Sequence, residues 1–259
     1  MPRHIPSRRD VLRAALTGAG GLAGGLLVQG CAGRELPPTY GHLLRLGDNL
    51  TYVAHRAVLP TDSLVREYTR ADISSFPAIG TTDPADPARP FYGPDGERYG
   101  RLRATEFREF ALKVEGRVAR PGTYTLEALR RYPSRTQITR HTCEEGWSAI
   151  AEWTGVALSH VLAAAGTLPS ARFVQFHAFD GWADGIDMVD ALHPQTLLAY
   201  AMNGRPLPVP HGGPLRLRVE RQLGYKSLKF LDRIVVTDTF DDHGRAGNIQ
   251  NGWSWYVGI

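Results

Sequence analysis

Strand-like and helix-like segments alternate irregularly along the second half of the chain, and this order limits the folds that it can form. Alternating or β-rich apolar patterns predict six strands, at residues 110–116, 137–142, 173–179, 197–202, 215–220 and 233–237. Short helices are predicted after the cap residues Thr125 and Asp187, and at residues 158–165 before Gly166. Because these elements do not follow regular βαβ spacing, the sequence predicts an α+β fold with a substantial mixed β-sheet.

The first 31 residues have the composition of an export signal. Arg8 and Arg9 precede an apolar run, 14–28, that is short and rich in Gly and Ala, as in a signal peptide and unlike a membrane span. Paired arginines before such a run indicate the twin-arginine route and a periplasmic location, with a chance pair in a basic leader as the alternative. Residues 28–31 resemble a lipoprotein processing box, so we expect either a lipid anchor at Cys31 or cleavage nearby.

Most of the net charge belongs to this leader. The formal net charge is +4, and residues 1–30 contribute +3 of it, so the remainder is near +1 and does not imply a nucleic-acid partner. About 228 residues follow Cys31, enough for one domain with a hydrophobic core.

Four regions are expected along the chain. They are a twin-arginine signal peptide at 1–31, an extended segment wrapping the domain at 32–105, the domain itself at 106–240, and a C-terminal tail at 241–259. Within the second region, residues 81–87 and 90–100 are rich in Pro, Gly and Asp and are predicted to be extended loops.

Cys143 is the one cysteine outside the leader region, and its flanks are unusually polar. It follows Arg140-His141-Thr142 and precedes two glutamates, Gly146 and Trp147. Neighbouring cations favour the thiolate, the form that attacks or ligates, whereas an isolated free cysteine is more often a small buried hydrophobe. A Cys–His nucleophilic pair and a zinc site are both conceivable, but the sequence lacks paired zinc-ligand spacing.

A second group of residues is strongly basic. Five cations, at Arg216, Arg218, Arg221, Lys226 and Lys229, follow the turn 211–214, His-Gly-Gly-Pro. Cations after a glycine turn favour an anion site, such as a phosphate clamp. A solvated, charged strand face is the alternative.

These two groups together resemble the sulfite oxidase family. Residues 137–148 and Trp153-Thr154-Gly155 resemble the family's metal-ligand segment, while residues 193–200 and 216–229 resemble its pterin-binding half. The likeness runs in order from about residue 107 to 237 and is greatest to small exported bacterial members. It implies a single sulfite-oxidase-type molybdopterin-binding domain that holds molybdenum–molybdopterin, one pterin per chain.

The resemblance also implies roles for particular residues. Cys143 would be the single protein ligand of the metal, with Arg140, His141 and Tyr225 as substrate-side donors. The implied cofactor contacts are Ser74, His211, Arg216, Ser227, Leu228 and Lys229. Ala178 stands where related reductases have a hydroxyl residue, which leaves the substrate open.

The implied activity is oxygen-atom transfer to or from a small oxo acceptor or donor. Reduction of an S- or N-oxide is the first expectation, and oxidation of sulfite or a related oxyanion is the alternative. The sequence carries no Cys-x-x-Cys-His haem motif, so the expected electron partner is a separate protein such as a membrane cytochrome. A non-enzymatic binding module and a thiol-dependent hydrolase remain alternatives of other classes.

Overall fold

The computed structural model describes residues 43–90, 92–240 and 253–259, with side chains described from residue 46. The predicted leader, Cys31 and most of the predicted tail therefore lie outside the described residues. The strands are β1 Ala111–Gly116, β2 Gly122–Thr125, β3 Ser134–Thr142, β4 Ser148–Ala157, β5 Phe173–Ala178, β6 Ala183–Asp187, β7 Leu197–Met202, β8 Arg205–Pro206, β9 Arg216–Arg218 and β10 Leu231–Thr237. The helices are α1 Leu43–Val58, α2 Pro94–Ala104, α3 Leu126–Arg130, α4 Leu158–Ala165 and α5 Met188–Ala191.

The strands form two sheets. The first has the order β2-β1-β10-β5-β6, in which β1 and β10 are parallel, with Val114 opposite Ile234, and the other pairs are antiparallel. The second has the order β3-β4-β7-β8, and β9 also pairs with β7, all antiparallel. The expected α+β architecture with a mixed sheet is confirmed.

One hydrophobic core joins the two sheets. Leu112 of β1, Val156 of β4, Leu162 of α4 and Leu217 of β9 belong to the same cluster, and each is fully buried. Strand β9 lies within this core, and the segment that follows it is attached to β9 by the hydrogen bond from the Leu217 amide to the Leu228 carbonyl (2.9 Å).

Local signals predicted several elements correctly. Thr125 caps α3 by accepting a hydrogen bond from the Ala128 amide (3.1 Å), and Asp187 caps α5 by accepting from the Asp190 amide (3.0 Å). Gly166 ends α4 in the left-handed region at φ 69°. These short motifs satisfy the backbone at helix ends without distant partners, and so they are visible in the sequence.

The prediction of extended structure ahead of the domain is wrong in two places. Residues 43–58 form α1, and residues 94–104, predicted as a loop to Gly100, form α2 with Pro94 in its first turn. Residues 81–87 contain turns and bends without a helix or strand, as expected. In the described part of the chain, no helix is long and apolar enough to cross a membrane.

Candidate functional site

A cavity of about 320 Å³ is lined by residues from many separate segments. Its walls come from the segment 74–81, the turn between β3 and β4, the inner residues of β4, the loop after β5, and the segment 211–229. Trp253 of the C-terminal segment completes the lining. The convergence of these segments on one cavity makes it the candidate active site.

Cys143 lies in the tight turn that joins β3 to β4. Its amide donates to the Trp147 carbonyl (2.9 Å), and the Gly146 amide donates back to the Cys143 carbonyl (3.2 Å), with Gly146 at φ 89°. The half-buried Sγ lies 3.3 Å from Glu144 Oε2 and 3.9 Å from Glu145 Oε2. Burial and the two carboxylates raise the pKa of the thiol to about 11, which disfavours a free thiolate nucleophile.

His141 is oriented by a buried ion pair. Arg218 donates to His141 Nδ1 (2.8 Å) and also forms a bidentate pair with Glu220, at 3.0 and 2.8 Å. Because a guanidinium can only donate, His141 Nδ1 must be an acceptor and the ring proton must be on Nε2. Burial, Arg218 and Arg216 lower the pKa of His141 well below its usual value. In the alternative of a thiol-dependent hydrolase, this arrangement opposes the use of His141 as the base.

Arg216 is a buried cation with unused hydrogen-bonding capacity. It donates to the His211 carbonyl (3.1 Å) and lies over the Trp153 ring, 5.2 Å from its centroid. Its Nε is buried without a hydrogen-bond partner, and so is Trp153 Nε1. Burial and the adjacent Arg218 lower the pKa of Arg216 to about 9. The alternative of a solvated strand face is therefore wrong: Arg216, Arg218 and Glu220 are 7%, 1% and 3% exposed.

Lys229 is a second cation in the lining of the cavity, close enough to Arg216 to interact with it electrostatically. Its ammonium donates to the carbonyls of Ile79 (2.6 Å), Thr81 (2.9 Å) and Pro210 (3.0 Å). Burial and Arg216 lower its pKa to about 7, while Asp180 acts in the opposite direction. Lys229 therefore ties the segment 79–81 to the turn before Gly212.

The remaining predicted cofactor contacts also line the cavity. Ser74 Oγ accepts from the Ile150 amide (3.0 Å), and Ser227 Oγ accepts from the Val219 amide (3.1 Å). Leu228 is 4% exposed, and its carbonyl accepts from Leu217 of β9. Tyr225 donates through its hydroxyl to the Ser254 carbonyl (2.6 Å), so its hydroxyl is engaged at the C-terminal segment.

Arg140 is the exception among the predicted site residues. Its side chain is exposed, with the guanidinium 5.3 Å from the centroid of the Tyr68 ring, and it is not among the residues that line the cavity. Successive strand residues point to opposite faces, and His141 takes the cavity face of β3. The structure therefore does not place the Arg140 side chain at the cavity, where the expected substrate-side donor would have to lie.

Sequence reasoning missed Asp180 and an aromatic wall. Asp180, just beyond β5, is a buried carboxyl at the cavity whose pKa is raised by burial. Phe76 stacks on Trp147 at 4.5 Å between ring centroids, and Trp253 lies 5.0 Å from Tyr225. An acidic residue directly after a buried strand is a weak signal for Asp180. The aromatic pairs join segments distant in the sequence, and no local pattern predicts them.

The donor set of the cavity fits the cofactor that the resemblance implies. The half-buried Cys143 thiol offers a soft ligand for a metal such as molybdenum. In the same lining, the buried Arg216 retains an unpartnered Nε, and the buried Trp153 Nε1 also lacks an acceptor. Buried unsatisfied donors are costly, and an anionic, acceptor-rich ligand would satisfy them. Among the residues with described side chains, no cluster of three or more His, Cys, Asp or Glu could hold a metal by itself.

Comparisons with known proteins agree with this chemistry. A family model described as an oxidoreductase molybdopterin-binding domain matches residues 99–244. A protein of Azospira oryzae, named as protein-methionine-sulfoxide reductase subunit YedZ1, is 32% identical over 98% of this chain and 89% of its own length. The catalytic subunit MsrP of protein-methionine-sulfoxide reductase from Ralstonia nicotianae is 30% identical, over 92% of this chain and 71% of that protein.

A solved structure shares the fold of the domain. The sulfane dehydrogenase SoxCD of Paracoccus pantotrophus superposes with a TM-score of 0.50 and 25% identity, over 52% of this chain and 40% of that chain. The family model and the relatives are independent of the cavity geometry, and both lead to the same conclusion. The chain belongs to the sulfite oxidase family of molybdopterin-dependent oxidoreductases and is an enzyme of that type.

Proposed function

We propose that the protein reduces an organic S-oxide, with the methionine sulfoxide side chain of peptides or proteins as the first choice, using one molybdopterin per chain. Cys143 would ligate the metal, while Arg216 and Lys229 would bind the anionic end of the pterin cofactor. Bound there, the cofactor supplies oxygen-atom transfer and the two electrons that accompany it. The names of the relatives, protein-methionine-sulfoxide reductases, support this choice of substrate.

The two carboxylates beside the Cys143 thiol favour a neutral substrate over an anionic one. Glu144 and Glu145 lie 3.3 and 3.9 Å from Cys143 Sγ, the atom that would ligate the metal. Both side chains are exposed to solvent, so each repels an anion at about 4 Å by about 1 kcal/mol, which disfavours sulfite and leaves a neutral sulfoxide unaffected. The stacked rings of Phe76 and Trp147 add an apolar surface suited to the organic part of the substrate.

The protein groups around the substrate would act by orientation. His141, held by Arg218 with its ring proton on Nε2, is a fixed neutral donor rather than a general base. The Phe76–Trp147 stack gives the cavity lining near Cys143 an apolar surface. A preorganised donor stabilises developing charge more strongly than a mobile one.

We further propose that the enzyme works in the periplasm with a separate electron-transfer protein, such as a membrane cytochrome. The paired Arg8 and Arg9 before the apolar run support export by the twin-arginine route. Changing both to lysine should abolish export in cell fractionation. Palmitate labelling that is lost in Cys31→Ser would support a lipid anchor, and equal labelling of both proteins would exclude one at that position.

A reduced-dye assay of the cofactor-loaded enzyme tests the substrate. Free and peptide-bound methionine sulfoxide and an N-oxide would be compared as oxidants, and sulfite would be tested with an electron acceptor. We expect peptide-bound methionine sulfoxide to give the highest kcat/KM. Turnover of sulfite with no turnover of any oxide would contradict the proposed direction.

Removing the carboxylate charges tests the reason for this specificity. In the double variant Glu144→Gln, Glu145→Gln, the ratio of kcat/KM for sulfite to that for sulfoxide should rise by up to about tenfold, because the solvent-screened repulsion of the anion is lost. The matched control is Glu127→Gln, on the exposed helix α3, which should leave the ratio unchanged. An unchanged ratio in the double variant would refute the electrostatic argument.

A further inference from the structure

Helix α1 is amphipathic, but its polar face is turned toward the protein. Its five polar side chains between residues 48 and 56, other than Thr51, all bind the rest of the domain: Asp48, Asn49, Tyr52, His55 and Arg56. At 100° per residue these five positions fall within one arc of about 120°. The face that packs on the domain is therefore the polar one.

The contacts that hold this face are specific and largely buried. Tyr52 donates to Asp187 (2.9 Å), and Arg56 pairs with Asp187 (3.0 Å) and Asp190 (2.9 Å). Near the other end of the helix, Asn49 accepts a hydrogen bond from the Trp255 indole (3.1 Å). A buried ion pair is costly to break, so these contacts fix which face of α1 points outward.

The outward face is an apolar ridge formed by Leu46, Leu50, Ala54 and Val58. Leu46 is 56% exposed, Leu50 is 60% exposed and Val58 is 76% exposed, and Ala54 between them is also exposed. The ridge runs about 18 Å along the helix, and from residue 46 onward α1 places no charged side chain on it. A surface helix normally shows the opposite arrangement.

Further exposed apolar side chains lie on adjoining segments. Leu192, beside a histidine that bonds to the Ser63 carbonyl, is 49% exposed, and Leu64 is 56% exposed. Ile259, whose amide donates to Arg221, is 46% exposed, and Arg221 in turn donates to the Thr61 carbonyl. These three side chains are exposed singly, so the continuous apolar surface of this region is the ridge of α1 alone.

From this arrangement we infer that the apolar ridge of α1 lies on a lipid bilayer surface. The ridge carries only aliphatic side chains, without the aromatic and arginine anchors that protein interfaces favour. A face three helical turns long is also smaller than the roughly 800 Å² per partner that a stable dimer buries. Aliphatic groups with no charge to desolvate are suited to the acyl region of a membrane interface.

The sequence before α1 also supports contact between the ridge and a lipid bilayer. The apolar run 14–28 and Cys31 precede the helix, and Leu43 follows Cys31 by 12 residues, a length that spans at most about 40 Å. A single membrane-attachment signal gives only marginal binding, and stable attachment takes two. The ridge would be the second contact, and it would hold the cavity at a fixed orientation to the membrane.

Protein-free vesicles of phosphatidylethanolamine and phosphatidylglycerol test this inference with the full chain. In a chain with Cys31→Ser and Cys143→Ser, an environment-sensitive fluorophore is attached to Ala54→Cys on the ridge, and to Thr123→Cys as a control. Thr123 is exposed on β2, at the opposite edge of the sheet from β6, whose Asp187 holds α1. Vesicles should shift the emission of the label at position 54 to the blue and protect it from iodide, and should leave the control label unchanged.

Substitutions on the ridge supply the second measurement. The double variant Leu46→Ser, Leu50→Ser should weaken partitioning into vesicles about 100-fold, roughly tenfold for each exposed leucine. Leu168→Ser, which changes an exposed leucine elsewhere, should partition like the unaltered protein. Circular dichroism of all variants reports that α1 and the domain remain folded.

Three results would overturn the inference. They are no vesicle binding, vesicle binding that leaves the label at position 54 open to iodide, and protection of that label by increasing protein concentration without lipid. The last result would assign the ridge to a second copy of the chain. None of these measurements depends on catalysis, so the inference and the proposed reaction fail separately.

Discussion

The buried ion pair of Arg218 and Glu220 holds His141 at the cavity. Replacing Glu220 with Gln should show how much this pair contributes to the free energy of unfolding. The side chain of Arg218 is 1% exposed and that of Glu220 is 0% exposed, and the two share hydrogen bonds of 3.0 and 2.8 Å. Glu220 also accepts a hydrogen bond from Gln137 (3.1 Å). The glutamine variant keeps the shape of the side chain and removes the charge that neutralises Arg218.

The size of the effect follows from burial. Removing one partner of a buried ion pair leaves the other charge uncompensated and costs about 3–5 kcal/mol. Arg216 lies against the same Trp153 ring as Arg218, so the remaining cations also repel each other in the variant. For a protein of this size the loss corresponds to a fall in Tm of about 6–20 °C.

Thermal and urea unfolding, followed by near-ultraviolet circular dichroism, measure this loss in the cofactor-free protein. The double variant Arg218→Met, Glu220→Leu removes both charges and should recover most of the free energy of unfolding, since apolar pairs of similar volume often match buried ion pairs. The double variant should still lose activity, because His141 no longer has its donor. A loss below about 1 kcal/mol in Glu220→Gln would refute the structural role of the pair.

Two further predictions concern the cavity. Sulfate should bind the cofactor-free protein more weakly as the pH rises above 7, by up to about tenfold per pH unit, because the Lys229 ammonium, with a pKa of about 7, loses its proton. Calorimetric titration of Lys229→Met should show weak binding at every pH, and an equal pH slope in the variant would assign the proton elsewhere. In Gly224→Ala the new Cβ would lie 2.4 Å from His141 Nε2, so we expect a loss of about 1–3 kcal/mol in unfolding free energy and a fall in kcat. Gly122→Ala, with open space around its Cβ, is the matched control and should change neither, whereas equal values for both variants would contradict the steric argument.

Elements whose ends are satisfied locally could be predicted from the sequence. The caps at Thr125 and Asp187 and the stop at Gly166 need only neighbouring backbone groups, and they lie where the sequence indicates. Helix α1 was missed because its polar residues are stabilised by partners far along the chain. Tyr52, for example, binds Asp187, 135 positions away.

The residues of the site likewise divide into those that the sequence predicted and those that depend on distant parts of the chain. Motif resemblance placed Cys143, Arg216 and Lys229 at one cavity, and the structure brings them together. Nearness in sequence failed for Arg140, since strand alternation turns it away from His141. The three carbonyls that hold Lys229 could not be foreseen, because two of them are about 150 positions away, at Ile79 and Thr81.

The molybdenum content of the purified protein tests the central claim most directly. Protein made in a host that synthesises the cofactor should contain one molybdenum and one pterin per chain, measured by mass spectrometry of the metal and fluorescence of the oxidised pterin. Cys143→Ser should alter the absorption of the metal–thiolate centre, while Arg216→Met should lower pterin and metal content together. Arg140→Ala, outside the cavity, should keep both at the level of the unaltered protein. Protein without molybdenum, or a metal centre with the same absorption in Cys143→Ser, would contradict the account.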